Sequence, residues 1–173
     1  MKDTLLQEIR ELGDDIVASE RFARAKQVPH HSKSGNIALH SVETAGYALL
    51  ITEWLEQHGL SVSRVDVVRA SLLHDIGMTE PSVFNSPSRK KALSHPRVGA
   101  RIAEEEFGAN ETQLEAIRHH MFPVFSMPPH SAEGWVVSLA DKCCSINELR
   151  VSTGLMVAAM GRRILRWYRR TTH

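Results

Sequence analysis

The chain has 173 residues, a formal net charge of +1 and an ordinary composition, with 42% hydrophobic and 24% charged residues. This length is enough for one domain with a substantial hydrophobic core. The balanced charge argues against a disordered chain and against a strongly basic nucleic-acid-binding protein, so we expect no stable binding to nucleic acids.

The sequence has no feature that predicts export or membrane insertion. Its first residues lead directly into a polar, amphipathic segment, so we predict no signal peptide. No apolar run approaches the roughly 18 residues that a membrane span needs. The two cysteines, Cys143 and Cys144, are neighbours in a helical pattern. We expect them to remain unpaired and interpret them as small core residues in a reducing cytoplasm, where we expect the protein to reside.

The N-terminal part begins with a helix predicted over residues 4–19. Its apolar residues recur at helical intervals, at Leu5, Ile9, Leu12 and Ile16. Residues 21–26 are predicted to extend this helix. A break follows at residues 29–35 and contains the double histidine His30-His31. Adjacent histidines in such a loop are usually solvated.

A long helix is predicted over residues 36–58. Apolar residues lie on most of its sides, which is typical of a buried helix, and His40 lies in its first turns. Ser63 is predicted to cap the next helix. That helix runs to His74 and Asp75, at the end of a mostly apolar segment.

The adjacent pair His74-Asp75 is the first candidate for chemistry. Histidine and aspartate are rarely buried unless they are paired or bind a metal, so burying both costs stability without such a partner. Neutral imidazole and carboxylate together suit Zn, Mn, Fe or Co. Gly77 can end the helix and let backbone approach the site. The alternative, from these residues alone, is a chance dipeptide with a core histidine beside a surface aspartate.

A loop is predicted over residues 78–94, because prolines interrupt this segment and it shows little periodicity. Its basic residues include Arg89 and Lys90. They form either a solvated charge run, which the sequence slightly favours, or a rim that attracts phosphate. His95-Pro96 is predicted to open the next helix, since proline is common at the first helical position.

Two further predicted helices carry candidate polar residues. In the helix over residues 111–121, His120 lies about 90° from the centre of the apolar stripe and His119 lies almost opposite it. His120 is therefore the inward candidate. Asp141 lies at the edge of the apolar face of a helix predicted over residues 135–149. An aspartate there is costly to bury unpaired, and the simplest alternative is a salt bridge to its neighbours.

The remaining segments complete an all-helical prediction. Residues 122–134 are predicted to be a loop that covers the core or the cleft. A final helix is predicted at about residues 155–170, and we expect it to pack on the core and to present an arginine-rich face to solvent. No repeat, useful strand alternation or linker divides the chain. We therefore predict a single all-α domain, residues 1–173, with about six or seven helices.

In chain order, the candidate residues are His40, His74, Asp75, His95, His120 and Asp141. This order resembles the HD superfamily of metal-dependent phosphohydrolases, whose signature is H…HD…D on an all-helical fold. The string His74-Asp75-Ile76-Gly77 matches the HDIG form of the motif. The two additional histidines resemble those of binuclear members. The resemblance spans about residues 22–149, which we take as the core around the metal site.

The resemblance implies roles for these residues. One divalent ion would be bound by His40, His74, Asp75 and Asp141. The site of a second ion would be completed by His95 and His120. The ions, of Fe, Mn, Zn, Co, Ni or Mg, would activate a water for attack on a phosphoester or phosphoanhydride. Asp75, placed to bridge, would then be catalytic. Charge on the phosphoryl group would be stabilised by Lys142, Arg89 and Lys90. His31 would make contact at the cleft mouth.

The implied function is hydrolysis of a small phosphorylated substrate, with a nucleotide-like one favoured. No Gly-Tyr-Pro follows the site, which does not support the cyclic-dinucleotide subgroup. Met78 stands where a subgroup of nucleotidases has glutamate. Two alternatives stay open: a di-iron HD-type oxygenase, and a non-catalytic module that binds metal and nucleotide for regulation. A homodimer is compatible with the sequence.

Overall fold

The computed structural model describes residues 2–30 and 35–147. Eight α-helices lie in these residues: α1 (Lys2–Val17), α2 (Glu20–Ala25), α3 (Ile37–Gln57), α4 (Arg64–Leu73), α5 (Pro81–Phe84), α6 (Ser88–Phe107), α7 (Glu111–His119) and α8 (132–147). A 3₁₀ turn, Ile76–Thr79, follows α4. The described residues contain no strand, only an isolated bridge between Pro29 and Asn36. The predicted all-α fold is therefore confirmed.

Four of these helices begin at a residue whose side chain caps the first turn. Ser19, Asn36, Ser63 and Asn110 each accept a hydrogen bond from the backbone N–H three residues later. Such caps satisfy N–H groups that have no partner within the helix. The predicted cap at Ser63 is confirmed, with its Oγ 3.3 Å from the Asp66 nitrogen.

The N-terminal helix differs from its prediction. Residues 21–26 do not extend α1, because Ser19 adopts an extended backbone and caps a separate helix, α2. Within α1, Gly13 has a non-helical φ of −138° and ψ of 24°, which kinks the helix. The apolar spacing predicted the helical faces correctly but could not detect these two interruptions.

The loop predicted over residues 78–94 is also wrong. This segment contains the 3₁₀ turn, α5 and the first turns of α6, which begins at Ser88. His95-Pro96 therefore does not open a helix, and Pro96 lies inside α6. The basic residues before Pro96 are good helix formers, and they extend the helix by about two turns on the N-terminal side of the proline. The proline rule thus placed the helix start too late.

The helix α4 lies at the centre of the fold, where it packs against α1, α3, α6 and α7. Its residues from Val67 to Leu73 are almost all buried. A helix buried on most sides delivers its last residues into the interior, so His74, its C-cap, is fully buried. No helix among the described residues has the length and hydropathy needed to cross a membrane.

The turn after α4 packs directly against the backbone of α6. A Cβ atom added to Gly77 would lie 2.7 Å from the Gly99 nitrogen and still closer to the carbonyl oxygen of His95. Only glycine fits at such a separation. The prediction that Gly77 permits close backbone approach therefore agrees with the structure, and this approach sets the distance between Asp75 and His95.

A salt-bridge network holds the outer side of the same turn. Arg21 on α2 pairs with Glu80, which follows the turn, at 2.5 Å and with Glu106 near the end of α6. Its guanidinium also lies 3.3 Å from the Thr79 hydroxyl. Arg21 therefore ties α2, the 3₁₀ turn and α6 together on the side away from the histidines.

Candidate metal centre

Six side chains that the sequence singled out as metal ligands meet in the interior. Each comes from a different position: within α3, α6 or α8, at the C-cap of α4 or α7, or at the start of the 3₁₀ turn. Their exposed fractions range from 0% to 8%. In chain order they are His40, His74, Asp75, His95, His120 and Asp141.

The Asp141 carboxylate forms one half of this cluster. Its Oδ1 lies 3.1 Å from His40 Nε2 and 3.7 Å from His74 Nε2. The three residues come from α8, α3 and the end of α4. Their ligand atoms all lie within 4.8 Å of one another, close enough to share one ion.

The Asp75 carboxylate forms the other half. Its Oδ1 lies 3.1 Å from His95 Nε2 and 3.5 Å from His120 Nε2. Its Oδ2 lies 3.7 Å from His74 Nε2, so His74 is close to both carboxylates. Asp75 and His74 therefore lie at the junction of the two halves.

Three of the histidines are oriented by backbone carbonyl groups. The Nδ1 atom of His74 lies 2.7 Å from the Ser71 carbonyl oxygen. The corresponding distances are 2.9 Å from His95 to the Lys91 oxygen and 2.8 Å from His120 to the Ile117 oxygen. A carbonyl oxygen can only accept a hydrogen bond, so each Nδ1 must carry the proton. In the neutral ring the lone pair is then on Nε2, the atom that faces the carboxylates.

The donor set fits a divalent metal. Among the described residues, no group hydrogen-bonds to the buried Nε2 of His74, and a buried polar atom without a partner costs stability. The Nε2 atoms of His95 and His120 approach to 3.0 Å. A proton or a cation between them is needed to make that approach favourable. Imidazole nitrogen with carboxylate oxygen suits Zn and other first-row ions.

The pKa values follow from burial and the two carboxylates. Burial lowers the pKa of His74 to about 4, so this ring is neutral at neutral pH. Burial alone would also lower the pKa of His40, but its hydrogen bond to Asp141 leads the effects that raise it to about 11. Without a metal, His40 is therefore protonated, and an ion that binds its Nε2 must displace that proton.

The carboxylates themselves are held ionised. Burial alone would raise the pKa of Asp75, but the surrounding histidines, led by His74 and His120, hold it well below its usual range. Burial would likewise raise the pKa of Asp141, but the hydrogen bond from His40 leads the effects that lower it. The centre thus keeps two negative charges in the interior, which is favourable only beside protons or metal ions.

A seventh residue, His30, joins the centre and was missed in the sequence. Its ring stacks on His40 with 3.9 Å between centroids, and its Nε2 lies 3.4 Å from Asp75 Oδ2. Its backbone is held by a hydrogen bond to Gly35 at 3.1 Å, and its exposed fraction is 8%. The double histidine before the Asn36 cap was the available signal, but loop behaviour favoured solvent for both rings.

An HD-domain family profile matches residues 37–146, which include all six predicted ligands. The chain belongs to the HD-domain family. It thereby falls within the superfamily of metal-dependent phosphohydrolases that the motif order indicated, and its buried triads of histidine and aspartate suggest metal binding. Searches of curated proteins and of solved structures gave no significant match.

The metal centre of this HD domain opens into a cavity of about 510 Å³. Asp75, His95, His120 and Asp141 lie in its wall, beside Lys142. Lys142 Nζ lies 3.0 Å from Asp141 Oδ2 and also donates to the carbonyl oxygen of His120. The predicted catalytic lysine is therefore brought to the edge of the centre. The rest of the lining is mixed, with polar Ser88, Lys91 and Ser145 and apolar Met78, Met121, Val124 and Phe125.

The other predicted substrate residues are placed differently. Arg89 and Lys90, on the first turn of α6, line a neighbouring groove with Leu93 and Arg97 and do not line the cavity of the HD domain. The basic residue of that run that does line it is Lys91, whose Nζ lies 4.7 Å from the centroid of the Phe84 ring. The helix turns successive residues by about 100°, which separates these neighbours. The predicted His31, like the helix predicted at 155–170, lies outside the described residues.

The helical phase around His120 agrees with its prediction. His120 is 1% exposed and lies in the centre, whereas His119 is partly exposed and its Nδ1 contacts the Met127 carbonyl oxygen at 3.1 Å. The apolar stripe of α7 thus determined which of two adjacent histidines enters the interior.

Replacing His30 with alanine should weaken metal binding by the HD domain more than the same change at His31. His30 Nε2 reaches the Asp75 carboxylate, and groups at that distance from a metal site typically contribute tenfold to a hundredfold in affinity. Metal content per chain after anaerobic purification, and metal affinity by titration, measure the effect. A larger loss for His31→Ala would contradict this prediction and would give a role in metal binding to His31, for which the sequence predicted only contact at the cleft mouth.

Proposed function

We propose that this HD domain hydrolyses a small phosphorylated substrate, with a nucleotide-like phosphoester or phosphoanhydride favoured. The observation that carries the proposal is the convergence of histidine Nε2 atoms on two buried carboxylates in the wall of an open cavity. Two halves with the Asp75 carboxylate at their junction, its Oδ1 toward His95 and its Oδ2 toward His74, suit two divalent ions. Such ions, when bound, would supply an activated water and offset charge on the phosphoryl oxygens.

The protein's own side chains would then orient the substrate. Lys142 lines the cavity beside the Asp141 carboxylate, and its Nζ also donates to the His120 carbonyl oxygen. Lys91 reaches the same cavity from α6. Two lysine side chains in the lining of the cavity favour a group that gains negative charge during the reaction. Ser88 and Ser145 add hydroxyl donors to this polar side.

The apolar residues of the cavity lining suit the organic part of a substrate. Met121, Val124 and Phe125 come from the segment after α7, and Met78 comes from the 3₁₀ turn. The exposed fraction is 72% for Val124 and 36% for Phe125, so a ligand can still cover both side chains. A flat base or another apolar group could pack there while its phosphate faces the metal centre.

The proposal is tested by measuring phosphate release from a panel of nucleotides and simple phosphoesters, with and without chelator. Wild-type activity should disappear on chelation and return with Mn or Fe. Asp141→Asn should keep the fold but lose most activity, because asparagine preserves the shape and removes a charge that faces His40 at 3.1 Å. Activity that resists both treatments would point to a contaminant. Two bound irons with oxygen uptake and no phosphate release would favour an oxygenase.

Lys91→Ala should lower kcat/KM for a phosphoester about tenfold, whereas Lys90→Ala should change it less than about twofold. Hydrogen bonds to charged groups contribute roughly 1.5–3 kcal/mol, and a tenfold change corresponds to about 1.4 kcal/mol. The two lysines are neighbours on α6, but only Lys91 lines the cavity. Steady-state kinetics give kcat/KM for both variants and for the wild type. Equal effects would mean that the cations act through the overall field of the surface.

A further inference from the structure

One histidine of the centre is oriented differently from the others. His74, His95 and His120 each donate from Nδ1 to a backbone carbonyl oxygen three or four residues earlier. The Nδ1 atom of His40 instead lies 3.4 Å from the Sγ atom of Cys144. The orientation of this ring therefore depends on a side chain that substitution can remove.

The thiol is enclosed and has its own partners. Cys144 is 1% exposed, and its Sγ lies 3.7 Å from Glu43 Oε2 and 3.9 Å from the His40 carbonyl oxygen. A thiol can accept the Nδ1 proton of His40 while it donates its own hydrogen to one of these oxygens. Its neighbour Cys143 is exposed. Two adjacent cysteines thus occupy opposite environments.

The helix α8 contacts both nitrogens of the His40 ring. Asp141 Oδ1 lies 3.1 Å from Nε2, and Cys144, three residues later on the same face of the helix, lies beside Nδ1. The ring spans the gap between these two side chains. Any rotation that moved Nε2 away from the centre would break the contact with sulfur as well.

We propose that Cys144 is a positioning residue, which keeps His40 turned so that its Nε2 faces the metal site. The proposal rests on metal binding by the HD domain and does not require that the reaction be phosphoester hydrolysis. Partners of metal-binding histidines commonly contribute tenfold to a hundredfold in metal affinity. Sulfur is a weak acceptor, so we expect the lower end of this range.

The test compares metal affinity in Cys144→Ala, Cys144→Ser and Cys143→Ala, measured by competition with a chromophoric zinc chelator. Cys144→Ala should raise the Kd for zinc about tenfold, because it removes the sulfur atom that contacts His40 Nδ1. Cys144→Ser should restore affinity to within about threefold of wild type, since its hydroxyl both accepts and donates. Cys143→Ala should leave the affinity unchanged. Thermal unfolding of the metal-free variants checks that the fold is intact.

Two outcomes would overturn the proposal. Unchanged zinc affinity in folded Cys144→Ala would show that the thiol only fills space. Equal weakening in Cys144→Ala and Cys144→Ser would show that the volume of sulfur matters and its hydrogen bond does not. A wild-type protein that binds zinc but releases no phosphate from any substrate would contradict the proposed reaction. The role of Cys144 would then still be decided by the zinc affinities of its variants.

Discussion

Asp75→Ala should abolish stoichiometric metal binding and lower phosphoester hydrolysis by at least about a thousandfold. The Asp75 carboxylate is within 3.1 Å of His95, 3.5 Å of His120 and 3.4 Å of His30, so its removal takes the shared anion from the centre. Metal ions typically provide several kcal/mol of transition-state stabilisation. Each 1.36 kcal/mol corresponds to about tenfold in rate.

The control for this prediction is another acidic side chain that the structure places outside the cavity. Asp66 accepts hydrogen bonds from Asn110 at 2.8 Å and from Gln113 at 2.7 Å, at the start of α7. Asp66→Ala should lower stability but keep the metal. Asp75→Asn, which is nearly isosteric, separates loss of charge from loss of fold. Full metal content in folded Asp75→Ala, measured by elemental analysis, would remove Asp75 from the centre.

Gly77→Ala should destabilise the protein by about 3 kcal/mol and reduce metal content. The new Cβ would collide with backbone atoms of His95 and Gly99, which cannot rotate away as a side chain could. The 3₁₀ turn and α6 would have to separate. Because Asp75 adjoins the turn and His95 lies on α6, this separation would also lengthen their 3.1 Å contact.

A second glycine supplies the matched control. A Cβ on Gly46, within α3, meets nothing within 4 Å. Gly46→Ala should therefore stabilise the helix by roughly 0.5–1 kcal/mol, as expected when alanine replaces glycine in a helix interior. Urea unfolding of the metal-free variants gives both stability changes. A Gly77→Ala protein with wild-type stability and full metal content would show that the turn can move without affecting the centre.

The periodicity of apolar residues was sufficient to predict which side chains are buried wherever this depends on a single helix. The stripe of α7 placed His120 inside and His119 at the surface. The apolar segment before His74 predicted a buried helix end, and the order of histidines and aspartates indicated the HD family that the profile match shows. These features depend on residues within a few turns of one another, where helical geometry leaves little freedom.

Contacts between distant segments of the chain could not be predicted from the periodicity of single helices. His30 enters the centre through a ring contact with His40 on α3, and two adjacent histidines in a predicted loop give no helical phase from which to predict that contact. The choice among the basic residues of the segment before His95 depended on where α6 begins. Once the helix starts at Ser88, Lys91 rather than Lys90 lines the cavity.

The distribution of the centre over the chain has a consequence for folding. His40 and Asp141, whose side chains meet at 3.1 Å, are 101 residues apart in sequence. An unfolded chain offers an ion only short local pairs such as His74-Asp75 and His119-His120, so tight binding requires the assembled tertiary structure. Ions bound in the two halves of the centre would therefore together cross-link α3, α4, α6, α7 and α8.

Such a cross-link ties metal supply to the lifetime of the protein. At free metal a thousandfold above Kd, an ion that binds only the native state adds about 4 kcal/mol to the unfolding free energy. Detachment of α8 alone would remove Asp141 and open the centre, so local unfolding of this helix would favour release of the ion. Under metal scarcity, proteolysis should begin at this helix, and the population of intact protein would then report the supply of its metal.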